Sequence, residues 1–478
     1  MRRRLGVLAT ATALAGAAFA TLPGAALAHG LVGRQDLPIP RWLFAWGAAV
    51  VLVVSFVALA VLWPQARLEY LRERRLLQAP AALEALAGLL GIAAFVLVVY
   101  AGFAGTQTAT ANIAPTVIFV IFWVGIPFLS ALLGDVFAPF NPWRAVARAV
   151  AWATNRAGAK PPAPLAYPAW LGRWPAALGI LAFAWVELVL DSSARDDPST
   201  LTILALAYAA VQLVGMSLYG IEPWTRNADA FAVYFRLFSM LSPLHWRDRV
   251  LRLRPPLAGA PALKPVPGTV ALLCTMIGTT SFDGFSQGAL WTGTNGIAPK
   301  LAERFVALGL NQVPALELTG TLGLVFMVLF IAGLYRLGVA GMATIGAGHD
   351  PSELGRRFAH SLVPIALAYV VAHYFSLLAT QGQAMVPLAS DPLGNGSDLF
   401  GTASTIIDYN VISATGIWYV QVAALVLGHA SGLTLAHDRA LVAYRRVRDA
   451  TRSQYWMLAV MVGFTSLGLW LLSASAQQ

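Results

Sequence analysis

The sequence predicts an all-α, polytopic integral membrane bundle, with about ten transmembrane helices and both ends of the mature chain outside. Three observations carry this. The chain is 58% hydrophobic and only 11% charged, whereas soluble domains run nearer a quarter charged. Its apolar stretches recur at lengths near ~20 residues, enough to cross a hydrocarbon core. The loops between them alternate between arginine-rich and arginine-poor, which is how a membrane chain encodes orientation.

Residues 1–28 read as a signal peptide: Arg2, Arg3 and Arg4 are the basic start, Leu5 to Leu22 the apolar stretch, and Ala26-Leu27-Ala28 the cleavage motif. Residues 29–478 then form one multi-span domain. The spans are expected at 42–63, 83–103, 116–134, 175–190, 201–219, 267–283, 315–337, 362–380, 411–436 and 455–472. Trp42 and Trp63 anchor the first span at its two interfaces. Arg67, Arg72, Arg74 and Arg75 put the next loop on the cytoplasmic side, and the later basic loops follow in phase. Within the long connection 220–265, the run DAFAVYFRLFSMLSPL is apolar but too short to span, and is expected to lie along the membrane surface. His437-Asp438-Arg439 is expected in the inner headgroup region.

The net charge of +10 belongs to these loops and does not imply nucleic acid. The expected partner is the lipid bilayer, at a bacterial plasma membrane. The single Cys274 sits in an apolar span, so there is no disulfide framework and no cysteine metal site. No phosphate-binding glycine loop, nucleophile elbow or HExxH motif is present.

The stretch Pro267 to Trp291 changes character at Thr279, where Thr280, Ser281, Asp283, Gly284, Ser286 and Gln287 follow an apolar run. A carboxylate in a bilayer needs protein partners or a wet cavity. Glu187, Glu317 and His373 occupy a similar depth on three other spans, which makes Glu187, Asp283 and His373 the candidate catalytic residues. Thr280, Ser281 and Glu317 are the candidate substrate-binding residues. Carboxylates with imidazole can bind a divalent metal that activates water, or relay protons without one. Snorkelling and helix–helix hydrogen bonding account for the same residues without function. His429 lies deeper than His373 and is not joined to it as a metal site. An amino-terminal His29, freed by cleavage, is a candidate copper ligand through its ring and amine.

The runs AHGLVGRQDLPIPRWLFAW, NPWRAV, GTTSFDGFSQ, AHYFSLLATQGQ and VLGHASGLTLAHDRAL together resemble polytopic bacterial membrane proteins, common in actinobacteria, that are labelled fenitrothion hydrolase. The resemblance covers nearly the whole chain. It implies hydrolysis of the phosphorothioate ester of an organophosphate, with a second protein component, and it carries over no catalytic residue. Three functions therefore stand open. One is a membrane hydrolase of a phosphoester-type small molecule at an outward-facing polar site. Another is a secondary transporter using the same residues for ion or proton coupling. The third is copper handling through His29.

Overall fold

A computed structural model describes residues 41–69, 73–158, 162–346 and 350–475. The expected signal peptide lies outside them. The principal helices are α1 (Arg41–Leu62), α2 (Ala81–Ala104), α3 (Ile113–Leu133), α4 (Pro142–Arg156), α5 (Trp174–Leu188), α6 (Pro198–Tyr219) and α7 (Ala230–Ser239). After them come α8 (Thr269–Ser286), α9 (Ile297–Ala307), α10 (Gln312–Ala343), α11 (Val363–Gln381), α12 (Ala414–Ala443) and α13 (Val447–Ser475).

Six helical stretches are long and apolar enough to cross a membrane: α2, α3, α6, α10, α12 and the stretch Pro351–Ser390 that contains α11. The other four expected spans are also helical, as α1, α5, α8 and α13. Of these, α5 has 15 residues, about 22 Å at the α-helical rise, short of a ~30 Å core. Several helices outrun their apolar stretch. Helix α13 begins at Val447 rather than at 455, carrying Arg448 and Arg452 in its first turns.

The chain divides into two compact units. Unit 1 takes Met1–Tyr70, Leu273–His373 and Ser413–Gln478; unit 2 takes Leu71–Leu272 and Tyr374–Ile412.

Unit 2 corrects two expectations. The apolar run DAFAVYFRLFSMLSPL does not lie on a surface: it forms α7, eight of whose ten residues are buried. A helix apolar all round belongs inside. Tyr234 of α7 stacks on Trp123 of α3 at 4.9 Å, and Phe235 meets Phe122 and Phe137 edge-on. Asp229 caps α7, accepting from the Ala232 N–H, and is wholly buried. It also accepts from Asn141 Nδ2 (3.0 Å), Trp143 Nε1 (2.6 Å) and the Tyr208 hydroxyl (2.8 Å). The run NPWR thus supplies half of a buried polar lock. Finally, the chain is not wholly α. Strands β1 (Arg74–Gln78), β2 (Leu244–Arg247) and β3 (Val250–Leu253) form an antiparallel sheet with β3 in the middle. Arginines that mark these segments as basic loops also mask their alternation.

Helix α3 carries a π-helical segment, Thr116–Gly125, in which the Ile126 N–H donates to the Ile121 carbonyl five residues back. The segment lies between Pro115 and Pro127, whose missing N–H groups interrupt the ordinary i→i−4 ladder.

In unit 1, α12 packs on α11 through glycines. A side chain at Gly428 would meet the Ala368 Cβ at 2.2 Å, and one at Gly432 the Ser361 carbonyl at 2.8 Å. Small residues let two membrane helices approach closely. Gly428→Leu should cost about 1–3 kcal/mol through overpacking, read as a lower unfolding temperature in detergent, while Gly463→Leu, with open space around its Cβ position, should not.

His437, Asp438 and Arg439 are held by protein partners rather than left facing solvent. Asp438 is 1% exposed and accepts from Trp63 Nε1 (2.8 Å) and from the Arg67 and Leu68 amides (2.6 and 3.0 Å). His437 Nε2 donates to the Trp63 carbonyl (3.0 Å) and its Nδ1 faces Gln454 Nε2 (3.3 Å). Arg439 pairs with Glu69 at 2.6 Å; burial holds the Glu69 carboxyl above its ordinary value against the pull of that guanidinium. Asp438→Ala strands three donors, so we expect about 1–3 kcal/mol of lost stability and faster proteolysis of the segment that follows α1.

Candidate functional site

Helix α8 is a plain apolar helix until Thr279, and its hydroxyls then turn on their own backbone. Thr279 Oγ donates to the Thr275 carbonyl (2.9 Å) and Thr280 Oγ to the Met276 carbonyl (3.1 Å), the usual way a helix satisfies such residues. Asp283 does not turn back. Its Oδ2 lies 2.8 Å from His373 Nε2 on α11, with the side chains 10% and 23% exposed. Gly284 lies against the ring: a Cβ there would stand 3.7 Å from His373 Nδ1, an ordinary contact. A carboxylate and an imidazole on separate helices of one unit thus form a hydrogen-bonded pair.

The other sequence candidates differ in their surroundings. Thr280, one turn before Asp283, shares its side of α8, but its hydroxyl is spent on Met276. Ser281 lies about 160° round the helix from Asp283, on the side of Gly278 and Phe282, which pack against Val328 and Gly323 of α10. Those same contacts set the register of α8 on α10. They put Glu317 roughly 9 Å along the axis from the level of Asp283. Glu187 belongs to unit 2, where Arg195 Nη1 approaches its carbonyl at 3.5 Å. The Asp196 hydrogen bond, and then the charges of Asp196, Glu187 and Asp191, hold the Arg195 guanidinium above its ordinary value. Arg195, in a loop that reads as acidic on balance, is thus the electrostatic neighbour that sequence reasoning overlooked. His29 lies outside the described residues. Among the described residues, no three His, Cys, Asp or Glu side chains gather as a metal-binding set.

Sequence reasoning also missed Gln421 of α12, 2% exposed with its Nε2 unpartnered. The Gly428–Ala368 and Gly432–Ile365 contacts fix an antiparallel register that brings Gln421 to within about a turn of the level of His373. A search confined to ionisable residues passes over it; a lone glutamine in WYVQVAALVL is the signal that would have found it.

The fold and the pair define a class: a multi-pass helical membrane protein with a titratable pair buried between two helices of one unit. Beyond the class, the chain matches no family model, no curated protein and no solved structure.

Proposed function

We infer that this is a multi-pass protein of the bacterial plasma membrane, with both mature ends outside, in which the Asp283–His373 pair takes up and releases a proton in step with movement of a solute. The proton-linked transporter reading rests on one observation, the 2.8 Å bond between Asp283 Oδ2 and His373 Nε2. A carboxylate and an imidazolium together are neutral, so the pair is tolerated in the bilayer while either member alone is costly. Adding or removing one proton upsets that balance and weakens a bond between two helices. This is a bistable contact that a proton gradient can drive.

The test uses purified protein in liposomes loaded with a pH-sensitive dye. An acid step outside should give a protein-dependent internal response, and Asp283→Asn and His373→Gln should both lose it. Traces indistinguishable from wild type would overturn the reading.

The same bond supports a second reading, the hydrolase to which the sequence resemblance points. A carboxylate that orients an imidazole makes it a general base for water. In that case detergent-purified protein should release phenolate from an aryl phosphorothioate triester, and His373→Gln should abolish the release.

A further inference from the structure

The core of unit 1 holds polar atoms without a hydrogen-bond partner among the described residues, and they continue the Asp283–His373 pair along α11. Tyr369 precedes His373 by one turn on the same side of the helix. Helical side chains lean toward the amino terminus, so His373 reaches over the turn that bears Tyr369. The Tyr369 ring stacks on Phe464 (5.2 Å), and both rings flank His429 of α12 with centroids 6.2 Å away. His429 is wholly buried, yet its Nε2 has no hydrogen-bond partner among the described residues, nor has the Tyr369 hydroxyl. Gln421, near the level of His373, adds a third such atom.

The tautomer of His429 follows from its one bond. Its Nδ1 lies 2.8 Å from the Leu425 carbonyl, which can only accept, so Nδ1 carries the hydrogen and Nε2 presents a lone pair. An unsatisfied polar atom buried in hydrocarbon is costly, whereas a site with several such atoms can hold water bonded to all of them.

Resting on the transporter reading above, we propose that Gln421, the Tyr369 hydroxyl and His429 Nε2 bind internal water that carries a proton between His373 and His429. The step balances simply. His373 gives up one proton to the water chain, and His429 accepts one at Nε2 while keeping its Nδ1–H on Leu425. The return releases the proton from the same Nε2. Neither covalent bonds to carbon nor electrons are involved. Gln421 and Tyr369 act as positioning residues for the water.

Two measurements test this on the full-length protein. In dye-loaded liposomes, Tyr369→Phe and His429→Gln should each slow the internal response to an outside acid step by about tenfold or more, the scale on which a positioned proton carrier acts. If Asp283→Asn abolishes the response while both of these variants keep the wild-type rate, the relay is overturned and the transporter reading stands. If Asp283→Asn leaves the response unchanged, both fall. Solid-state NMR of histidine-¹⁵N protein in lipid provides a readout independent of flux. One imidazole signal, absent in His429→Gln, should show a protonated Nδ1 and an unprotonated Nε2 in contact with water. A dry Nε2, or the opposite tautomer, would overturn the relay whatever the liposomes show.

Discussion

Asp229→Ala should lower stability by about 3 kcal/mol or more, because removing the carboxylate strands several buried donors at once. Asn141 Nδ2, Trp143 Nε1, the Tyr208 hydroxyl and the Ala232 amide all converge on it. In addition α7 loses its cap, itself worth about 1 kcal/mol. Burial holds the Asp229 carboxyl above its ordinary range in spite of these donors, so the donors only partly offset the cost of desolvation. Trp143→Phe deletes one donor and leaves Asp229 with its others. It should therefore cost less, about 1.5–3 kcal/mol for a bond to a charged group. Thermal unfolding in a single detergent, followed by tryptophan fluorescence and by circular dichroism, ranks the two. If Asp229→Ala melted with the wild type, the lock would be irrelevant to unit 2.

The second large effect belongs to the Asp283–His373 pair, and a double-mutant cycle measures it. Asp283→Ala leaves a buried imidazole without its carboxylate, and His373→Ala leaves a buried carboxylate. Either single change should destabilise unit 1 more than the loss of packing explains. The double variant should recover part of the loss, with a coupling of roughly 0.5–3 kcal/mol. A coupling near zero would mean that the 2.8 Å contact contributes no stability to the folded protein. Function separates from stability here. Asp283→Asn keeps shape and one hydrogen bond, so its loss of proton response is not a loss of fold.

Much of this was readable in the amino acids, and the reasons for the rest are physical. Long apolar runs such as 83–103 and 315–337 announce themselves because a bilayer imposes one length and one polarity. Asp283 and His373 were legible because an ionisable residue in such a run is expensive and needs a reason. Their pairing was not: Glu187 and Glu317 carry the same signal, and depth along a span says nothing about which way a side chain turns. The roles of Asp229 and Asp438 did not show because both sit at the edges of apolar runs, among arginines that make any acid look solvated. Only the folded chain shows Trp143 and Trp63 donating their indole hydrogens to those acids. The sheet was hidden for a related reason: β1 and β3 are each too short and too basic to show alternation until they pair.

The bond from Trp63 to Asp438 joins residues 375 positions apart. A ribosome must therefore deliver nearly the entire polypeptide before the first helix meets the acid that fixes its end. Until then the Trp63 indole and the amides of Arg67 and Leu68, just beyond α1, lack that acceptor. Synthesis halted before residue 413 would leave α1 permanently without α12 and α13.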